Sequence, residues 1–468
     1  MKKWLILISL AMLASCKIGK NYRGTEVPVS EEFRFADTLA DIPEVLLVNP
    51  DSLGNDSVLA YDWFSLFGDA TLDSLVQQAL EKNQDLKIAA ENIAQAQYGL
   101  TVQRSEMLPQ ISYEAGATRG NFLNGLQPQE QTFLYGYGFV NWELDFWGKF
   151  RRLNEAAKAN IVAREEGYRA VQISLVATVA QSYFQLLEYR NRLAVAEATV
   201  ALRDSMLGII EMRFEKGIIP EIDLNQAQVQ LAIAEAEVPL WQRLSAQTEH
   251  LLSVLAGDIP QGLKGGQPIS AVALPAMLPP DQPLSLLSRR PDVLAAEQEL
   301  IAQNARVGAA QANRLPSISL SGLLGTAGGS LSDLGTAEAW NLGGSLLGPL
   351  FFFNRFKRLA DIEKSRREQA QLAYERTVLN ALRETEDALV AIQTLKEELI
   401  ARQAHVRAAL NAQKLSQARY IEGATSYLEF LESQRQAFQA QQNLAGTQQQ
   451  LLSAYAQLYK ALGGGWNL

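Results

Sequence analysis

Hydrophobic positions along the chain follow two alternating periods. From Thr71 they recur at helical spacing, with Leu72, Leu75, Val76 and Leu80 on one face and Asn83 interrupting. Asp69 and Thr71 are candidate N-caps. A second helical stretch covers about 84–107, and 293–314 reads the same way, with Pro291 suited to a first helical turn. Both stretches stop at Leu-Pro (Leu108-Pro109, Leu315-Pro316), where proline disfavours a helical conformation in the preceding residue. Period two then takes over: Ile111-Ser112-Tyr113-Glu114 parallels Ile318-Ser319-Leu320-Ser321. A loop rich in Gly and Asn (120–131) leads to a second alternating stretch, 132–146, and 326–338 leads likewise to 339–353. Each group predicts a β-hairpin.

After Gly148 and Asn354 the spacing becomes helical again. Leu153–Lys216 contains no proline and only the glycines Gly167 and Gly208; Leu359–Glu422 contains neither residue type. At 1.5 Å per residue such a helix reaches roughly 95 Å, too long for the core of a compact domain. Its apolar seam (Tyr189, Leu193, Ala196, Val200, Leu207, Ile210, Phe214) is thin and Ala-rich. That suits a helix touching neighbours on two sides, or an ordinary long coiled coil. Gly217 and Gly423 can take positive φ and reverse the chain into return helices over 221–256 and 427–462. The Gln- and Ala-rich stretch 434–457 reads as a face of small packing contacts.

The two sets of elements are one set used twice. Met107–Ser112 matches Arg314–Ser319 at an offset of 207; Gly148–Leu153 matches Asn354–Leu359, Arg213–Gly217 matches Arg419–Gly423 and Leu255–Gly257 matches Ala461–Gly463, all at 206. A solenoid repeat runs only about 20–50 residues, so this is an internal duplication of a half-protein. The first repeat is 61–257, with β-hairpin 111–146 and long helical hairpin 153–256. The second is 283–468, with β-hairpin 317–353 and helical hairpin 359–462. A Gly- and Pro-rich linker, 258–282, joins them.

The N-terminus adds an address. Lys2 and Lys3 precede the short apolar run Trp4–Met12, and Leu13-Ala14-Ser15-Cys16 resembles a lipoprotein cleavage box. Residues 1–15 then form a signal peptide, Cys16 is the lipid attachment site, and 16–60 are an extended, lipid-anchored arm. Lys17, in place of an inner-membrane-retaining Asp, favours the outer membrane. Cys16 is the only cysteine, so no intramolecular disulfide can form. No run of eighteen apolar residues follows, which leaves β-strands closed into a barrel as the only way to span a bilayer. Phe133, Tyr135, Tyr137, Trp142, Phe146, Trp147, Trp340 and Phe351–Phe353 lean toward an interfacial aromatic belt; a soluble sheet with one buried face is the alternative.

A net charge of −9 and pI near 5.1 argue against nucleic acid as a partner. Two histidines, His250 and His405, with one cysteine leave no zinc site, and both read as solvated helix positions. Nothing resembles a nucleophile elbow or a P-loop, so the chain is not expected to be an enzyme or to hold a cofactor beyond the covalent lipid on Cys16.

Cys16 with Gly19 and Tyr22, Trp142-Glu143-Leu144-Asp145 followed by Gly148, Arg289-Arg290-Pro291-Asp292-Val293, and Arg419-Tyr420 with Gly423 and Tyr427-Leu428-Glu429 together resemble the TolC-like outer membrane factors. The similarity is to the OprM/NodT-type lipoprotein subgroup of RND efflux systems. It implies a mainly α protein with a membrane β-barrel. A homotrimer would share one barrel, four β-strands per protomer, above a long periplasmic α-helical tube. It implies a channel at the cell outer membrane, lipid-anchored and extending into the periplasm. The channel would pass small molecules such as drugs from a periplasmic adaptor (membrane fusion) protein and an inner-membrane RND transporter.

The resemblance also implies a periplasmic gate at Leu428, Glu432 and Arg435, where the subgroup often has Asp at the position of Glu432. The alternative is an exposed i,i+3 pair. The first half carries Gln226 and Val229 at the positions matching Glu432 and Arg435. Arg213, Phe214, Gly217, Arg419, Tyr420 and Gly423 would form adaptor-docking tips, with helix capping by Arg as the alternative. Two rivals stay open: a type I protein-secretion channel and a structural coiled-coil envelope lipoprotein.

Overall fold

The helix-then-hairpin order appears twice in the computed structural model, which describes residues 17–25, 27, 33–35, 62–124, 127–275, 289–335 and 338–464. The signal peptide, Cys16, most of the arm to residue 60, and 276–288 of the linker and following segment lie outside the described residues. The elements are α1 (Ala70–Lys82), α2 (Gln84–Ser105), β1 (Gln110–Asn124), β2 (Gln127–Leu144), α3 (Lys149–Glu215), α4 (Glu221–Leu255), α5 (Pro291–Ala312), β3 (Ser317–Gly328), β4 (Glu338–Leu347), α6 (Arg355–Ile421) and α7 (Tyr427–Ala461).

The duplication is visible in the backbone. α3 and α6 both have 67 residues, α4 and α7 both 35, α2 and α5 both 22. Left-handed residues recur at matching positions: Gly148 and Asn354, Gly217 and Gly423, Gly257 and Gly463. Asp69 is the N-cap of α1, its carboxylate accepting from the N–H groups of Thr71 and Leu72 at 2.9 and 3.4 Å. Asn83 breaks α1 from α2 because its side chain serves other groups. It donates to the Leu255 carbonyl at 3.0 Å and accepts from the Leu86 N–H at 3.1 Å. α3 begins earlier than the apolar spacing predicts. The Asp145 carboxylate accepts from the Phe150 and Arg151 N–H groups, both at 2.9 Å, and so satisfies the first turn from outside the helix.

The chain divides into two compact units. One comprises the N-terminal residues to Val27, Ala90–Glu166 and Leu294–Thr377. It holds a single antiparallel sheet in the order β1-β2-β3-β4. Beneath the strands its helices meet through alanine: Ala156, Ala159, Ala302 and Ala305 are buried with Ile301 against them. Small side chains let helix axes approach closely but bury little area each.

The other unit comprises Pro28–Ala89, Gly167–Val293 and Val378–Leu468. Its core is large and aromatic. Trp63 stacks on Tyr459 with centroids 4.9 Å apart, and Phe67 packs on Phe184 at 4.8 Å. Tyr183, fully buried, donates to Asp69 Oδ2 at 2.6 Å. Burial first, then that carboxylate, push the Tyr183 phenol far above its ordinary value.

Two strand boundaries differ from expectation. Residues 120–131, read as a loop, are largely paired: β1 and β2 run in register from Gln110↔Asn141 to Asn124↔Gln127. Cross-strand hydrogen bonding overrides a polar, Gly-containing composition. β4 ends at Leu347 and not at 353. Pro349 has no N–H to give a ladder, and Phe353 and Asn354 take positive φ values of 45° and 66° to turn the chain into α6.

Candidate functional site

The sheet has two chemically distinct faces. One carries Ile111, Tyr113, Val140, Leu320, Leu324, Trp340, Leu342 and Leu346, paired in register and all exposed. The other carries Ser112, Glu114, Asn141, Ser319, Ser321, Asn341 and Ser345. Such an exposed apolar face, with β1 and β4 as the edges of the sheet, cannot be left in water at this length without inviting association.

The register corrects the aromatic belt. Phe133, Tyr135 and Tyr137 pair with Thr118, Gly116 and Glu114, which places them on the polar face. Trp340 is on the apolar face and 75% exposed, and Phe351–Phe353 follow β4 as an exposed apolar turn. Trp142 and Trp147 instead tie down the base of the sheet, their indole N–H groups donating to the carbonyls of Met107 (2.9 Å) and Pro316 (2.7 Å).

At the base of the same unit, Arg152 holds the N-terminal segment. Its side chain is 1% exposed. It donates to the Ile18 carbonyl, Asn21 Oδ1 and Glu155 Oε2, each at 2.9 Å, and to the Gly19 carbonyl. Gly19 has φ +93°, and a Cβ there would sit 2.7 Å from the Cα of Gly308. Glycine at both positions lets the segment lie directly on α5, with the guanidinium beside it. Ile18 N–H donates to the Trp147 carbonyl at 3.1 Å. Tyr22 donates to Glu297 at 3.2 Å.

In the second unit, the α3–α4 and α6–α7 turns close with the same geometry. Gly217 and Gly423 have φ +70° and +74°, and Ile218 and Ala424 N–H groups reach back to the Arg213 and Arg419 carbonyls at 2.9 and 2.8 Å. Arg213 bridges the two turns. It donates to the carbonyls of Tyr420 (3.3 Å) and Ile421 (2.8 Å) at the end of α6, and lies 4.8 Å from the Tyr420 ring centroid. Tyr420 is only 3% exposed and packs with Tyr427 and Phe430. Burial first, then Tyr420, push the Tyr427 phenol up to about 12. Phe214, Gly217, Arg419 and Gly423 are exposed. Tyr420 is therefore an interior group in the single chain. Arg213 caps the neighbouring hairpin's helix and not its own.

Leu428, Glu432 and Arg435 share one exposed face of α7. Arg435 grips Glu432 with two hydrogen bonds, 2.9 and 2.8 Å, and Gln436 adds a third at 2.9 Å.

Residues 75–258 and 283–464 both match the family model described as outer membrane efflux protein. The chain belongs to the outer membrane efflux protein family. Similar efflux proteins include the solvent efflux pump outer membrane protein SrpC of Pseudomonas putida, 31% identical over 473 residues, covering 100% of this chain and 99% of the relative. The cation efflux system protein CusC of Escherichia coli O6:H1 is 32% identical, covering 97% and 96%. The probable outer membrane lipoprotein SilC of Salmonella typhimurium is 29% identical, covering 99% of both.

Solved structures agree. The outer-membrane channel OprN superposes with a TM-score of 0.83 at 28% identity, over 96% of this chain and 100% of that one. The open-state MtrE channel of Neisseria gonorrhoeae gives 0.82 at 27%, over 96% and 98%. The fold is TolC-like, and this efflux protein is an outer membrane channel component of an efflux pump. Among the described residues, no helix is long and apolar enough to cross a membrane.

Three features of this efflux protein escaped sequence reading. Arg152 and Arg290 look like surface arginines in the sequence, and Glu114 looks like one polar position of an alternating strand. Only partners distant in the chain distinguish them. Arg290 did stand in a recognisable motif, Arg-Arg-Pro-Asp, and the structure supplies its reason. It is buried and donates to Asp292 (2.7 and 3.0 Å), Glu384 (2.8 Å) and the Ala461 carbonyl (3.0 Å). His250 and His405 are both exposed on helices.

Proposed function

We propose that three copies of this chain close their sheets into one barrel in the outer membrane. The assembly then forms the exit duct of a tripartite efflux pump, fed by a periplasmic adaptor and an inner-membrane RND transporter. The observation that carries this is the open four-stranded sheet, apolar on one exposed face and polar on the other. A lone subunit would leave the edges of β1 and β4 unsatisfied in lipid, where each unpaired backbone group costs several kcal/mol. Pairing β1 of one copy with β4 of the next removes every edge, and the polar face becomes the wall of an aqueous lumen.

The two turns of the second unit are the adaptor-docking surface in this reading, through exposed Phe214, Gly217, Arg419 and Gly423. Cys16 carries the lipid. The held segment Lys17–Thr25 would then keep the acyl chains beside the base of the apolar sheet face. The names of SrpC and CusC suggest solvents or cations as cargo.

The assembly is tested by the mass of the detergent-solubilised protein and by ion flux across liposomes. A trimer that renders liposomes conductive is expected; a monomer that leaves them ion-tight overturns the proposal. Cross-linking in the cell envelope is expected to recover an adaptor and a proton-driven transporter. Recovery of an ATP-driven transporter would shift the reading to secretion.

Leu428, Glu432 and Arg435, repeated by threefold symmetry, form the periplasmic gate in this reading. The Arg435 guanidinium, then the Gln436 amide, hold the Glu432 carboxyl down at about 2. Because that value is depressed, the ion pair is complete above the ordinary carboxylate range and disappears only as pH falls through about 2. The open fraction in planar bilayers is therefore expected to stay flat from about pH 5 to 8. Glu432→Ala or Arg435→Ala is expected to raise it. An unchanged open fraction in both variants removes the gate assignment.

A further inference from the structure

We propose that the polar face of β2 is a binding platform for hydrophobic organic cations. Phe133, Tyr135, Tyr137 and Phe139 are successive residues on that face, with ring centroids 5.8, 5.5 and 6.2 Å apart. Glycine lies opposite two of them: Gly116 pairs with Tyr135 and Gly325 with Tyr137. A Cβ at Gly116 would fall 2.5 Å from the Tyr135 ring, and one at Gly325 would fall 2.3 Å from Tyr137 Cβ. The missing Cβ at Gly116 leaves room for the Tyr135 ring across the neighbouring strand, and the missing Cβ at Gly325 lets the two backbones approach closely at Tyr137.

The charge on this face is of one sign. Tyr135 and Tyr137 both donate their hydroxyls to the Glu114 carboxylate, at 3.1 and 2.8 Å. Those donors are thereby spent, leaving negative ring faces and a carboxylate. Among the described residues, no Lys or Arg occupies the same face of the four strands. Reinforcement of the sheet by tyrosines packed over glycines accounts for the rings. It does not require the carboxylate, nor the extension of the ladder by Phe133 and Phe139. An aromatic surface with a fixed carboxylate and no competing cation attracts a bulky, weakly hydrated cation through ring quadrupoles and charge together. A neutral or anionic solute of the same shape gains only contact area or is repelled. That the platform lines a conduit rests on the barrel reading above; that it binds cations does not.

Equilibrium dialysis of the purified full-length protein in detergent tests it, with tetraphenylphosphonium as probe and tetraphenylborate as the shape-matched anion. Saturable phosphonium binding is expected, with borate no higher than in empty micelles. Tyr135→Leu with Tyr137→Leu is expected to weaken phosphonium binding about tenfold, and Glu114→Gln by a few-fold. Tyr135→Phe with Tyr137→Phe keeps the rings and is expected to stay within about twofold. Should the leucine pair fail to assemble, Glu114→Gln still reads the charge directly. Equal affinity in Glu114→Gln and the unmodified protein, or borate bound as tightly as phosphonium, overturns the proposal. Liposome flux measured in parallel separates the two readings: saturable phosphonium binding by a protein that leaves liposomes ion-tight upholds the platform and removes the barrel.

Discussion

Replacing Arg152 by methionine is expected to accelerate tryptic cleavage at Lys20 and Arg23 on the order of 100-fold, equivalent to about 3 kcal/mol of local opening free energy. Proteolysis needs the segment to leave its bed, so the rate tracks the population of the opened state. In the intact protein that state must break three contacts from one guanidinium to the segment, at Ile18, Gly19 and Asn21. Methionine fills the volume but donates nothing, leaving the Ile18 and Gly19 carbonyls without their charged donor. Glu155 would retain only Lys17. Partial burial works to raise the Glu155 carboxyl, but the hydrogen bonds and charges of Lys17 and Arg152 together outweigh that and hold it below its ordinary value. Mass spectrometry of timed digests measures the effect. Equal cleavage rates in the two proteins would show that the segment is held by something other than Arg152.

Arg290→Met is expected to lower stability by about 3–5 kcal/mol, the cost of breaking a buried ion pair from one side. Burial works against the Arg290 charge, but Asp292 and then Glu384 outweigh it and hold the guanidinium above the usual arginine value. Without the guanidinium, Asp292 and Glu384 face each other and the Ala461 carbonyl near the end of α7 loses its donor. Adding Glu384→Gln removes one of the two stranded charges and is expected to recover part of the loss, because the penalty is mostly that of uncompensated charge. Urea midpoints followed by helical circular dichroism measure both variants. No loss in the single variant, or no recovery in the double, would mean that Arg290 acts only through packing.

Much of this molecule is legible one residue at a time. The long helices follow from uninterrupted helical spacing. Their reversal follows from Gly217 and Gly423, which adopt the left-handed conformation that glycine reaches without a steric penalty. The Leu-Pro stops precede the strands because proline acts on its immediate neighbour. The duplication was readable because sequence offset is preserved even where identity is lost.

The sheet faces were harder. Parity within one strand is visible from alternation. Parity between β1 and β2 depends on hairpin register, and a shift of one residue moves every side chain to the opposite face. A loop over 120–131 leaves that register undefined, so the sequence offers an aromatic belt without a face for Phe133, Tyr135 and Tyr137; pairing with Thr118, Gly116 and Glu114 supplies it. The start of α3 at Lys149, four residues ahead of the expected Leu153, has a similar origin, since the carboxylate that starts the helix belongs to Asp145, outside it.

By itself the sequence determined the kinds of element, their order and their twofold repetition, because these depend on local conformational preference and on spacing along the chain. Tertiary structure alone decided which arginines are buried, which face of the sheet is polar and that Tyr420 is interior. Those properties arise between residues such as Arg152 and Ile18, or Arg290 and Glu384, that are far apart in the chain, and burial and register are set by packing and strand pairing rather than by any residue's own propensity.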